Sequence, residues 1–330
     1  MITGGLSLDV SGYRGHEEEV LAVRNRNRSR SVDRAYLDWR YLGESASLEP
    51  CVCWLRDASG KACGMMAVAG RSYVVNGRKM EVGAIGDIAL DKAWRGCGVA
   101  RHLVDGVENA AQERGWKRLL VLPNLPAERL FQNRWSRVTE LGRWALPLRP
   151  FGGRVSWNRG WAGVLRYWLE TRLWKGISLT TDLAETVWPE SERRGLVLRD
   201  RSKSVLTWRY ERYPLCGMRR HSFVHRGEVV GWIVDEFDEQ RGLLSVQDAC
   251  FVGSRWAEPC MARYAMKVMD RAEVRSVWML LSRHHTLRPV VRRLGFMRRG
   301  DWTGAFAWGA TDRTWIRPES WQVLDGDKDA

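Results

Sequence analysis

Apolar and polar positions along this chain alternate between two periods, and the alternation predicts a strand and helix order that is traversed twice. Cys51 to Arg56, Ala62 to Ala69 and Arg78 to Leu90 read as strands, with Asn76-Gly77 as a hairpin turn between the last two. Glu17 to Asn25 and Val32 to Tyr41 read as helices before them. Beyond Leu90, the apolar residues Leu103, Val104, Val107 and Ala111 recur at steps of one, three and four, the stripe of a helix, and Gly115 suits its left-handed C-terminal position. A strand at Leu119 to Leu122, a helix near Ala127 to Arg134 and a final strand complete this unit. Further on, Arg220 to His225, Val229 to Asp235, Leu243 to Phe251 and Ser276 to Leu281 read as strands, with a helix at Glu258 to Ala272.

The second set of elements repeats landmarks of the first. Leu37-Asp38-Trp39-Arg40-Tyr41 recurs as Leu206-Thr207-Trp208-Arg209-Tyr210, and Gly60 to Gly64 answers to Gly227 to Gly231. Asp87 answers to Asp248, and Trp135 to Phe296. A period this long is a duplicated domain rather than a solenoid. The Trp and Tyr of the repeated pentapeptide are expected to bury large surfaces and orient helices around each core, with the Arg bonding a neighbouring carboxylate.

The most informative segment is Arg95-Gly96-Cys97-Gly98-Val99-Ala100, lying between the strand that ends at Leu90 and the helix that follows. The first amides of a helix have no internal partner and the helix dipole makes that end positive, so strand, glycine turn and helix form a natural anion site. Gly96 and Gly98 let successive amides face one concavity. No G-x-G-x-x-G and no G-x-x-x-x-G-K-[ST] is present, so dinucleotide and ATP loops fit worse. The longer string Ile88 to Ala100 resembles the acyl-CoA signature of the GNAT superfamily of N-acetyltransferases, with Arg95, Gly98 and Ala100 in its defining positions.

That resemblance implies an α/β (α+β) fold of two tandem GNAT-like domains, each a mostly antiparallel mixed sheet flanked by helices. Residues 1–150 would form an acyl-CoA-binding domain, and 151–330 a bridging helix followed by a degenerate copy. It implies acetyl-CoA or another acyl-CoA as donor, held by Leu90, Arg95, Gly96, Cys97, Gly98, Val99, Ala100 and Asn124. The Leu90 backbone amide would meet the thioester carbonyl, and Asp87 or Glu81 would serve as base. Asp248 persists in the half without the loop, which favours a structural role for Asp87; for Asn124 the alternative is a helix N-cap. The tyrosine that many relatives use as general acid is replaced here by Phe131. In the second half, Gly253 to Cys260 lacks the motif and sets Glu258 and Pro259 where phosphate-facing amides would be needed, so one cofactor site is expected.

Composition constrains the surroundings. The 330 residues are 45% hydrophobic and 28% charged, with no apolar run of membrane-spanning length. Met1 to Gly5 lack the regions of a signal peptide, which makes the cytoplasm the expected location. Seven cysteines without paired C-x-x-C spacing predict reduced, mostly buried thiols and no metal site. His284-His285 reads as a surface or helix-cap pair. A net charge of +14 calls for an acidic partner. CoA phosphates supply part of it; an acidic carrier protein, an anionic glycan, a nucleic acid or a membrane surface are the other sources, the last two less favoured. The basic, aromatic stretch Trp157 to Lys175 is expected to pack as a bridge between domains, with membrane contact as the minority reading.

The function these features imply is N-acylation of an unidentified small-molecule amine from acyl-CoA. Two alternatives are a catalytically silent acyl-CoA sensor and an N-acyltransferase that uses an acyl carrier protein as donor.

Overall fold

The computed structural model describes residues 5–44, 47–148, 176–181, 195–215, 217–309 and 313–328. The first half runs β1 (Ser7–Gly12), α1 (Glu17–Arg26), α2 (Arg34–Leu42), β2 (Cys51–Arg56), β3 (Ala62–Val75), β4 (Arg78–Leu90), α3 (Ala100–Glu113), β5 (Leu119–Val121), α4 (Leu125–Glu128) and β6 (Ser136–Pro147). The second runs β7 (Ile177–Thr180), β8 (Val197–Arg199), α5 (Lys203–Leu206, continued by a wide turn over Thr207–Glu211), β9 (Met218–His225), β10 (Glu228–Asp238) and β11 (Leu243–Phe251). It ends with α6 (Ser254–Met269), β12 (Ser276–Ser282), α7 (Arg288–Arg293), β13 (Met297–Trp308), α8 (Arg313–Ile316) and β14 (Trp321–Gln322). The stretch Trp157 to Lys175 and the expected boundary at 150/151 lie outside the described residues.

Strands and faces follow from the apolar pattern. In β2 every residue from Cys51 to Leu55 is buried: Cys51, Cys53 and Leu55 pack with α3, while Val52 and Trp54 pack with α1 and α2 on the other face. A strand covered on both faces needs apolar side chains at both parities. Asn76 and Gly77 both take positive φ, 55° and 77°, as the two-residue hairpin between β3 and β4 requires.

All strands join one sheet, in the order β1-β2-β3-β4-β5-β13-β6-β12-β11-β10-β9-β7, with β8 on β3 and β14 on β8. The strands that close each half are exchanged. The first half's β5 pairs with β13 from the end of the chain, Val121 opposite Phe306, and the second half's β12 pairs with β6, Leu281 opposite Gly142. The separate sheets expected for the two halves are therefore merged into one.

The repeat is visible at the contact between halves. Trp39 and Trp208, 169 residues apart, stack with ring centroids 5.3 Å apart, and each indole N–H donates to the other's backbone carbonyl at 2.8 Å. Tyr41 donates to Asp87 (2.8 Å) and Tyr210 to Asp248 (2.9 Å). Asp87 lies within a bulge of β4 and Asp248 directly follows one in β11: the β3–β4 register slips between Ile85 and Ile88, and the β10–β11 register slips between Val246 and Asp248. A bulge inserts an extra residue and bends the strand away from its neighbour.

Candidate active site

The bend in β4 opens a wedge. β4 and β5 run parallel and pair at Gly83–Leu119, Ala84–Leu120 and Ile85–Val121, and there the pairing stops. Beyond it lies a cavity of about 440 Å³, lined by Gly86 and Asp87 of β4, by Leu122 and Asn124 just after β5, and by Tyr213 and Glu236 from the second half. Asn124 caps α4, its side chain accepting from Ala127 N (3.1 Å), while also lining the cavity.

The glycine loop follows the end of β4, and neither Leu90 nor any of residues 95–100 lines the cavity. Gly96 and Gly98 have φ of 82° and 75°, a region that disfavours any side chain, and a Cβ at either would meet open space. Among the described residues, the amides of residues 96–100 donate to no protein acceptor. Five consecutive free amides at the start of the fourteen-residue α3 suit an anionic group. The Arg95 guanidinium binds the Leu90 carbonyl (2.8 Å) and Asn27 Oδ1 (2.9 Å), which ties the loop to β4 and to the segment after α1. Cys97 is exposed on this loop, whereas Cys51, Cys53, Cys63, Cys250 and Cys260 are free and buried.

Leu90 is oriented by the ladder. The Asp91 amide donates to the Cys63 carbonyl (2.8 Å), so the alternation of an antiparallel pair turns the peptide groups of Ile88 and Leu90 toward the wedge. Their carbonyls meet the side chains of Arg28 (3.3 Å) and Arg95 there, and their N–H groups face the same way.

The expected bases separate. Glu81 lies toward the hairpin end of β4, roughly 20 Å along the strand from Asp87 at about 3.3 Å per residue. Its carboxylate holds the backbone N–H of Ser47 (2.7 Å) and the Ser47 hydroxyl, and it does not line the cavity. Asp87 does line it, but Arg24 (3.4 Å), Arg40 (3.4 Å), Arg28 (3.7 Å) and Tyr41 surround its carboxylate. Burial alone would raise its pKa; Arg40, Arg24 and Arg28 outweigh burial and hold the carboxyl below the ordinary aspartate range. Phe131 is fully buried, edge-on to Trp135 at 5.0 Å and against Phe306, so no proton donor occupies that position.

The second half differs for a reason other than the one expected. Helix α6 begins at Ser254, so Glu258 and Pro259 sit beyond its first turn, and Glu258 pairs with Arg293 (2.7 Å). What removes the cradle is length: only Val252 and Gly253 join β11 to α6, against residues 91–99 in the first half. The equivalent wedge is also filled. β11 and β12 pair as far as Val246–Met279, and beyond that Leu324 bridges to Leu281 while Ser282 N donates to the Val323 carbonyl (3.1 Å). Asp327 then reaches Arg201 (3.3 Å), which also holds Asp248. Sequence patterns did not reveal this segment, because Val323 to Lys328 has no periodicity of its own.

His285 is buried, and its Nδ1 accepts from Leu287 N (3.0 Å) at the start of α7. Burial drives its pKa down to about 3, so it caps that helix as a neutral ring rather than lying at the surface. Among the described residues no cluster of His, Cys, Asp and Glu could hold a metal ion, and no helix is long and apolar enough to cross a membrane.

Residues 17–134 match the model of the acetyltransferase (GNAT) family. The fold of the chain is similar to a GCN5-related N-acetyltransferase from Anabaena variabilis, with 12% identity and TM-score 0.57 over 91% of this chain and 72% of that one. It is similar to a putative acetyltransferase from Pyrococcus horikoshii, with 11% identity and TM-score 0.56 over 97% and 94%. It is also similar to N-myristoyltransferase from Saccharomyces cerevisiae with bound myristoyl-CoA, with 9% identity and TM-score 0.56 over 94% and 80%. No curated protein matches the sequence.

Proposed function

We propose that this protein transfers an acyl group, acetyl in the first instance, from acyl-CoA to a small-molecule amine, with one donor site in the first half of the chain. The observation that carries this reading is the row of free amides at residues 96–100 between β4 and α3, on the half whose β4–β5 pairing opens into a wedge, when the matching wedge in the second half is closed by residues 323–328. An acyl-CoA supplies a carbonyl activated as a thioester. Arg95 to Ala100 hold its pyrophosphate, and Asn124 borders the path of the pantetheine arm. The Leu90 N–H, turned into the wedge, donates to the oxygen on which negative charge develops during transfer. Asp87 acts as a positioning residue that fixes Arg24, Arg28 and Arg40 around the acceptor cavity.

Buried Phe131 is the observation that favours a second reading, a silent acyl-CoA sensor, because it leaves the family's usual proton donor position empty of chemistry. Titration calorimetry with acetyl-CoA, coupled to a thiol-release assay over a panel of amines, decides between them. Binding with turnover supports transfer; binding without turnover supports the sensor. A strong preference for carrier-bound acyl chains would instead favour an acyl carrier protein as donor, which the basic surface would dock.

A further inference from the structure

We infer that Glu236, contributed by the second half of the chain, takes the proton from the acceptor amine during acyl transfer. This rests on the acyl-transfer reading above. Two carboxylates line the wedge cavity among the described residues, Asp87 on β4 and Glu236 on the β10 wall. They are built for opposite purposes. Asp87 is enclosed by three guanidiniums and the Tyr41 hydroxyl, so neither oxygen is open to a substrate proton. Glu236 accepts one hydrogen bond at Oε2, from Gln247 Nε2 at 3.1 Å. Its Oε1 faces Arg30 Nη1 at 3.9 Å, which is too far for a hydrogen bond and leaves that oxygen able to receive a proton.

The supporting structure explains why this oxygen is presented. Gln247 is the extra residue of the β11 bulge, the counterpart of Gly86 in β4, and its side chain steadies Glu236 from the adjacent strand. The charged and titratable groups facing Glu236 are Arg30 from the segment between α1 and α2, Tyr213 and Asp325 from the loops around it, and Asp238 on its own strand. Burial lifts the Glu236 carboxyl above the ordinary glutamate range; Arg30 opposes this, and Asp325 and Asp238 reinforce it. A carboxylate lifted toward neutrality is a better proton acceptor than one held down by three arginines. Tyr213 stays neutral, its pKa raised by burial and by Glu236.

The step balances as follows. The amine lone pair attacks the thioester carbonyl carbon, the C–N bond forms and the C–S bond breaks. The nitrogen's surplus proton passes to Glu236 Oε1, and the departing CoA thiolate is protonated from solvent. Glu236 then returns its proton to solvent, leaving an amide and free CoA.

The test compares wild type with Glu236→Gln and Glu236→Asp. CoA release from acetyl-CoA is followed between about pH 5.5 and pH 9.5 with spermidine, L-glutamate, glucosamine 6-phosphate and a lysine-containing peptide each offered as acceptor. Acetyl-CoA affinity is measured in parallel. The inference predicts that Glu236→Gln lowers kcat by about 10²–10⁴-fold at neutral pH, removes the acidic limb of the pH profile, and leaves acetyl-CoA affinity within about twofold. Glu236→Asp recovers part of the rate and restores the limb. A Glu236→Gln enzyme with the wild-type rate and pH profile overturns the inference while leaving the acyl-transfer reading intact. A wild-type protein that fails to bind acetyl-CoA, or binds it and acetylates none of the four amines, overturns that reading and this inference with it.

Discussion

Replacing Asp87 with Asn separates a positioning role from a catalytic one. Asn keeps the shape and can still accept from Tyr41, but it removes the single negative charge that faces Arg24 and Arg40 at 3.4 Å each and Arg28 at 3.7 Å. Arg24 and Arg40 are themselves 7% and 3% exposed, so water does not replace the lost partner. Breaking a buried ion pair from one side costs about 3–5 kcal/mol, and Asp87→Asn is expected in that range. Asp248→Asn in the other half should cost less, because Asp327 remains 3.3 Å from Arg201 and still balances it. Since the folded pKa of Asp87 lies below its unfolded value, its stabilisation is fully present above about pH 4 and is lost only as pH falls through the lower, folded pKa. The gap between wild type and Asp87→Asn is therefore flat from about pH 5 to pH 8 and closes in acid. Urea denaturation followed by circular dichroism and tryptophan fluorescence measures it, coincidence of the two probes being the check on two-state behaviour. An Asp87→Asn protein within about 1 kcal/mol of wild type that has nonetheless lost turnover would refute the positioning role and place Asp87 in the chemistry.

Other expectations follow from the same geometry. Gly98→Val, at φ 75° with open space around the new side chain, should cost about 1–2 kcal/mol of stability while weakening acetyl-CoA binding at least about tenfold, as read by calorimetry. Trp208→Phe keeps the stacked ring but strips the 2.8 Å bond to the Trp39 carbonyl, for an expected loss of about 1–3 kcal/mol. Trp39→Phe is its mirror, and a double-mutant cycle should show a coupling of at least about 0.5 kcal/mol; strict additivity of the two would mean that the indoles do not act as one clamp.

Much of this architecture could be read from residue patterns, and the exceptions share a cause. β2, β4 and β11 have the limits that their apolar runs predict, and the Asn76-Gly77 turn forms where its dipeptide directs. The repeated Leu-x-Trp-Arg-Tyr became a physical contact, with Arg40 beside the Asp87 carboxylate and Arg209 3.8 Å from Asp327. Elements that depend on distant partners were not legible. β1 is an edge strand whose residues are mostly partly or fully exposed, so it lacks apolar alternation. The expected helix near Ala127 to Arg134 is the single turn of α4 followed by irregular chain, because Asn124 and Pro126 start it early and Phe131 and Trp135 are held by the core instead. α6 begins at Ser254 rather than Glu258, with Pro259 inside it, because Trp256, Ala257 and Cys260 pack on the second core. Glu236 escaped notice because nothing local marks it: its chemistry arises only when β10 is brought opposite β4 across the cavity.

The central claim is that one half of this molecule carries the donor site while the other has lost it and supports the first. Native mass spectrometry of the intact protein with increasing acetyl-CoA tests this most directly. The account predicts one bound equivalent per chain, abolished by Gly98→Trp; two equivalents, or one that survives Gly98→Trp, would contradict it.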